Sequence, residues 1–125
     1  MDSVAITNQD TIFGVILAAG KGVRAYPATR DIPKVLLDIA GKTLIERNLD
    51  LLVGKLGITD IIIVIGHYGD QIEDRIGDSF EGARIRYVRQ VNQKGIGHAV
   101  LAVEPLVGDS RFITILGDEL YIDSN

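Results

Sequence analysis

The residues best suited to chemistry follow the first apolar run. Gly20-Lys21-Gly22 forms a glycine turn, with Arg24 and Arg30 close behind and then Pro33-Lys34. Glycine lets backbone N–H groups come close to an anion. Arginine offers a planar fork to phosphate oxygens, and lysine a point charge. The chain as a whole is acidic, with a formal net charge of −4. Basic groups gathered behind a buried strand of such a chain point to a nucleotide phosphate site. At the other end, Asp118 follows the last apolar run. A lone carboxylate there serves either as a turn cap or as a ligand for Mg²⁺, since hard cations take carboxylate and phosphate oxygens together. Glu119 is adjacent, and Asp123 is less well placed.

Two shorter motifs read as imitations. Gly20-Lys21-Gly22-Val23-Arg24-Ala25 has the spacing of a dinucleotide fingerprint, which needs a helix to begin at once. Pro27 and Pro33 follow instead, which disfavours a nicotinamide or flavin site. Ala40-Gly41-Lys42-Thr43 looks like the end of a phosphate-binding P-loop, but Leu36 stands where the earlier glycine is needed. A polar turn with a helix cap is the better reading. His67 and His98 are isolated and read as structural. No spacing suits zinc, and no Ser/His/Asp order is convincing.

These groups need elements to hold them. Ile12 to Ala18 is a short, largely β-branched run that reads as a buried strand. Ala19 to Pro33 reads as a long loop, of the kind that is usually functional. Lys34 to Leu37 is a short apolar piece before the turn at Ala40-Gly41. Thr43-Leu44-Ile45-Glu46 has capping-box spacing. Ile45, Leu49, Leu52, Val53 and Leu56 then share one helical face, with Gly57 as the stop. Asp60 to Ile65 is a second strand, Asp70 to Ile76 a helix closed by Gly77, and Arg84 to Val88 a half-buried strand. Gly97 to Glu104 is helical and stopped by Pro105, and Phe112 to Leu116 is the last strand. Strands alternating with helices imply right-handed crossovers and a mostly parallel sheet with helices on both faces. Ligands of such sheets bind at the carboxyl ends of strands, where the Gly20 loop and Asp118 both fall.

Composition sets the outer bounds. The 125 residues suit one domain, with 46% hydrophobic and 24% charged residues, ordinary globular values. Residues 1–10 read as a flexible tail, and residues 11–125 as one nucleotide-binding unit. Cysteine is absent, which excludes disulfides and thiolate metal sites and favours a cytoplasmic setting. The acidic balance disfavours nucleic acid as a partner. No apolar run is long enough for a membrane span, and no signal peptide is evident.

Leu17-Ala18-Ala19-Gly20-Lys21-Gly22-Val23-Arg24, then Pro27, then Pro33-Lys34-Val35-Leu36-Leu37, resembles the signature of sugar-1-phosphate nucleotidylyltransferases. Gly41-Lys42-Thr43-Leu44-Ile45-Glu46 is similar to the family's next segment. Tyr87-Val88-Arg89-Gln90 with Lys94-Gly95-Ile96-Gly97-His98-Ala99-Val100 most resembles the bacterial-type UTP–glucose-1-phosphate uridylyltransferases.

The resemblance implies a Rossmann-like fold of the nucleotide-diphospho-sugar transferase type, incomplete in this chain. It implies transfer of a nucleotidyl group from a nucleoside triphosphate, with UTP favoured, to a sugar 1-phosphate, with glucose 1-phosphate favoured, releasing pyrophosphate. A thymidylyl-, cytidylyl- or guanylyltransferase is the runner-up, and a non-catalytic nucleotide-binding module the rival. By the same resemblance, Arg24 would hold the leaving pyrophosphate, and Lys34 would contact the α-phosphate or the attacking phosphate. Leu17, Ala19 and Gly20 would approach the nucleoside, with Lys21 and Gly22 in the same loop. Gln90 would hydrogen-bond the pyrimidine edge, Gly95 would let the base lie close, and Asp118 would ligate Mg²⁺. Val23 departs from the family's usual threonine, and Ala25 from a larger apolar residue. Family members continue past the position of Asn125 into the sugar pocket, a second metal-binding aspartate and dimer contacts. The expectation is therefore a half-site that self-associates through its uncovered surface.

Overall fold

The computed structural model describes residues 12–20, 22–24, 31–90 and 96–118. The apolar runs become strands β1 (Ile12–Leu17), β6 (Asp60–Ile65), β8 (Ala83–Arg89) and β9 (Arg111–Leu116). All four run parallel, with β1 between β6 and β9, and β8 beyond β6. The two-residue β7 (Ser79–Phe80) pairs antiparallel with β8, giving the sheet order β7-β8-β6-β1-β9. Successive side chains of a strand face opposite ways, and β6 shows why it reads as a continuous apolar run. Ile61, Ile63 and Ile65 enter one core with Ile45, Leu49, Leu52 and Ile72, while Ile62 and Val64 enter another with Val103 and Val107. Helices α1 (Leu44–Leu49) and α2 (Gly69–Ile76) therefore cover one face, and α3 (Ile96–Val107) covers the other.

The segment expected as a loop from Ala19 to Pro33 holds a small ribbon. Within it, β2 (Gly22–Arg24) pairs antiparallel with β3 (Asp31–Pro33), Arg24 opposite Asp31 and Gly22 opposite Pro33. Three-residue strands carry no alternation to read, and Pro33 is tolerated because it stands at the end of the pairing. A single 3₁₀ turn, Lys34–Leu36, follows. Next comes the tight hairpin of β4 (Asp38–Ile39) and β5 (Lys42–Thr43). Both of its central residues have positive φ, Ala40 at 54° and Gly41 at 92°, the conformation that matches hairpin twist. Asp38 Oδ1 accepts from the Gly41 N–H at 2.9 Å.

The capping box at α1 forms as its spacing predicts. Thr43 Oγ1 accepts from the Glu46 N–H, and Glu46 Oε1 accepts from the Thr43 N–H at 3.0 Å. Past Leu49 the helix widens into a π segment, Asp50–Lys55, closed by a bond from the Leu56 N–H to the Leu51 carbonyl. The wider turn rotates Leu56 off the inward face where the helical period put it, leaving it 52% exposed. Ile58 enters the core instead, its N–H bonded to the Leu52 carbonyl at 2.9 Å.

Helix α3 also corrects the sequence reading, because it runs through Pro105 to Val107. Val103 and Val107 are both buried on the same face, and continuing the helix seats the second of them. The last turn closes with the Gly108 N–H on the Glu104 carbonyl at 2.9 Å, and Gly108 takes a φ of 56°.

Candidate functional site

Because the main strands are parallel, their carboxyl ends share one edge of the sheet. In sheet order, that edge presents Gln90 after β8, Gly66 after β6, Ala19 and Gly20 after β1, and Asp118 after β9. The β1/β9 boundary is the point where connections leave in opposite directions, since β6 and β8 lie on one side of β1 and β9 on the other. Crevices at such points are where open α/β sheets bind ligands.

Leu17, Ala19 and Gly20 sit where the sequence places them. Ala19 is buried, Gly20 is exposed, and the Ala18 N–H donates to the Val64 carbonyl at 2.8 Å. On the far side, the Gly117 N–H donates to the Leu17 carbonyl at 2.9 Å. That bond carries the Gly117–Asp118 turn against the exit of β1. Asp118 is exposed at its tip.

Lys34 belongs to the same end of the sheet. It is exposed, while the next residue, Val35, is buried. A Cβ at Gly117 would lie 3.0 Å from Val35 Cγ1, so the 3₁₀ turn packs directly on the Asp118 turn. Gly22 and the backbone of Arg24 lie in β2. Lys21, Arg30 and Gly95 lie outside the described residues, as do Glu119 and Asp123.

Gln90 closes the other end of the row and is 6% exposed. Its N–H donates to the Ile65 carbonyl at 2.8 Å, and its Nε2 lies 3.0 Å from His98 Nδ1 in the first turn of α3. The neighbouring Arg89 ties the strand end to the next turn. Its Nη1 donates to the Gly66 carbonyl at 2.7 Å, and its Nη2 pairs with Asp70 at 3.2 Å. His67 is exposed and stacks edge-on against Tyr68, with ring centroids 4.8 Å apart.

Two residues at this edge escaped sequence reasoning. His98 reads as structural, yet it contacts the buried amide of Gln90. Nothing in the sequence marks Asn48, yet it is 1% exposed and bonded to Gly117. Among the described residues, no three Asp, Glu, His or Cys side chains gather to hold a metal ion. Among the described residues, Asp118 offers the carboxylate at the switch point. That donor set fits a hard cation shared with ligand phosphates and does not make a closed protein site. No helix of the described residues is long and apolar enough to cross a membrane.

A parallel sheet covered on both faces, with its polar groups at the carboxyl strand ends, defines a Rossmann-like α/β protein. Residues 13–125 match the family model described as nucleotidyl transferase, and the chain belongs to that family. It is 38% identical over 107 residues to the UTP–glucose-1-phosphate uridylyltransferase AglF of Haloferax volcanii, covering 86% of this chain and 43% of that protein. A solved UDP-glucose pyrophosphorylase in complex with UDP-glucose superposes with a TM-score of 0.77 at 33% identity, over 92% of this chain and 48% of the other. A putative glucose-1-phosphate thymidylyltransferase from Bacillus anthracis gives 0.79 at 33% identity, over 90% and 46%. The fold is thus that of the nucleotide-diphospho-sugar transferases. The chain spans less than half the length of these relatives.

Proposed function

We propose that this chain forms the nucleotide-binding part of a sugar-1-phosphate nucleotidylyltransferase that takes UTP and glucose 1-phosphate and releases pyrophosphate. The observation that carries this reading is the order of groups along the strand ends. Gln90 and Asp118 stand at the ends of strands three places apart, a span of roughly 14 Å at the usual spacing. A nucleoside triphosphate laid across the strand ends would put its base at Gln90. Its sugar would lie over Ala19 and Gly20, and its phosphates at Lys34, Asp118 and the Gly20–Arg24 loop.

The reaction is an in-line attack of a sugar phosphate oxygen on the α-phosphorus. Positioning and charge stabilisation supply most of the acceleration in such transfers. Backbone N–H groups after β1 bind and orient the triphosphate. Lys34 holds the negative charge of the α-phosphate or of the attacking phosphate, and Arg24 the departing pyrophosphate. Asp118 would hold Mg²⁺ together with the phosphates, and the ion would neutralise charge there. Gln90 reads the pyrimidine edge, and the absence of a side chain at Gly95 would let the base lie close.

Uridylyl and thymidylyl transfer are the readings that the relatives favour. Calorimetric titration of the chain with UTP, dTTP, CTP, GTP and NAD in the presence of Mg²⁺ tests the proposal. UTP is expected to bind most tightly and NAD not measurably. Preference for dTTP would move the assignment to thymidylyl transfer, and preference for NAD would overturn it.

A further inference from the structure

The contact between Gln90 and His98 constrains what the site can read. A carboxamide presents a donor and an acceptor side by side, and turning it by half a revolution exchanges them. Uracil and thymine offer an N3–H donor beside a carbonyl acceptor. Cytosine offers an N3 acceptor beside an amino donor. At one fixed base position, a carboxamide in one orientation suits the first pattern, and in the other orientation the second. An amide free to turn discriminates poorly, whereas a pinned one reads a single pattern.

Gln90 is pinned twice. Its backbone is held to Ile65, and its Nε2 meets His98 Nδ1 at 3.0 Å. With the amide nitrogen of Gln90 turned towards the ring, Nδ1 is the acceptor of this bond. The bond uses one of the two amide N–H groups. Among the described residues, no other side-chain hydrogen bond of Gln90 is formed, so its carbonyl oxygen and second N–H are the groups we assign to a ligand. His98 is itself anchored, because the following residue, Ala99, is buried beside Val15 and Ala19 under α3.

We propose that His98 is a positioning residue that fixes the orientation of the Gln90 carboxamide and thereby makes the site select a uracil-type edge over a cytosine edge. The direction of selectivity rests on the proposed placement of the base at Gln90. The pinning itself rests only on the two side chains. It applies equally to uracil and thymine, whose pairing edges are alike, so it does not separate UTP from dTTP.

The test compares UTP and CTP affinities, with Mg²⁺, for the full chain and two variants. His98→Ala should lower the UTP-to-CTP affinity ratio about tenfold, the factor that one misplaced buried hydrogen bond carries. His98→Asp keeps an acceptor at that place, in a helix first turn that tolerates negative charge, and should preserve the ratio. Equal losses for both nucleotides in His98→Ala, or a collapse of the ratio in His98→Asp, would overturn the inference. A second readout needs no nucleotide. The ¹⁵N shifts of His98 in the free chain should show Nδ1 unprotonated, and the Gln90 side-chain amide protons should exchange faster in His98→Ala. A protonated Nδ1 would overturn the pinning whatever the affinities. An intact pinning signature in a chain that does not prefer UTP over CTP would instead overturn the placement of the base at Gln90.

Discussion

Asn48 and Gly117, 69 positions apart in the chain, are joined by one buried hydrogen bond: Asn48 Nδ2 donates to the Gly117 carbonyl at 2.9 Å. The Gly117 N–H is bonded in turn to the Leu17 carbonyl. Both polar groups of this residue are therefore held, one by helix α1 and the other by strand β1. Asp118 follows directly, so its backbone is fixed by residues that carry no chemistry themselves.

Asn48→Ala should destabilise the fold by about 1–3 kcal/mol, because the buried carbonyl loses its donor. Gly117→Ala should cost a similar amount, about 1–3 kcal/mol, since overpacking forces neighbours to move. The added Cβ would lie 2.9 Å from the Leu17 backbone oxygen, which cannot turn aside. Urea denaturation of both variants checks these values, and an unchanged midpoint for either would contradict the packing described.

Thr43→Ala should destabilise by about 1 kcal/mol through loss of the helix cap. Its effect should also depend on pH. Burial pushes the Glu46 carboxyl up, but the Thr43 backbone N–H and hydroxyl and the Arg75 guanidinium outweigh that and hold it below its ordinary value. A carboxyl lowered in the folded state stabilises above its unfolded pKa, and the gain is lost as pH falls through the folded value. The stability difference between parent and variant should therefore shrink on acidification below about pH 4.5. Denaturation midpoints recorded at a series of acidic pH values read this directly.

Tyr87 sets the alkaline limit. Burial, reinforced by Glu73 and Asp78, pushes its phenol up to about 12. The hydroxyl donates to the Gly77 carbonyl at 2.6 Å, which closes the end of α2 on β8. A group raised in the folded state contributes fully below its unfolded pKa, near 10, and loses that contribution as pH climbs towards 12. Tyrosinate absorbance should show one phenol titrating late, and Tyr87→Phe should abolish that late step. Ordinary titration of every tyrosine near pH 10 would refute the assignment.

Arg24→Ala should weaken UTP binding far more than uridine binding, since only the triphosphate offers oxygens to its fork. Equal affinity of parent and variant for UTP would remove Arg24 from the phosphate site.

Asp118→Asn should reduce the gain in UTP affinity that Mg²⁺ brings, while leaving metal-free binding near its original level. Titrations with and without the ion separate the two effects. A variant that keeps the full Mg²⁺-dependent gain would exclude Asp118 as a ligand.

The layered sheet was legible because β1, β6 and β9 are apolar runs ended by glycine or a polar turn. The capping box was legible because its two partners lie three residues apart. What escaped the sequence is of two kinds. The β2/β3 ribbon, β7 and the π segment are too short to express a period, and the helix runs on past Pro105 because the core seats Val107. The Asn48–Gly117 and Gln90–His98 contacts join segments that come together only when the sheet assembles; no pattern marks Asn48, and the motif that contains His98 does not show that its ring meets Gln90. The Gly20 loop and Asp118 were found for the opposite reason, since the ends of buried parallel strands are where this architecture collects polar groups.

The place of β1 in the sheet has a consequence for how the protein comes into being. Among the described strands this one is made first, yet one of its two neighbours is β9, with Ile12 opposite Arg111 and Leu17 opposite Leu116. Strands β1, β6, β8 and β7 can pair with one another while β9 is still absent. The edge that later receives β9 then stands open, with the backbone groups of β1 unpaired along it. Contacts between distant parts of a chain form slowly because the intervening loop must first be closed. The crevice between Leu17 and Asp118 can therefore take shape only after β9 has been made and paired, when the rest of this sheet can already stand.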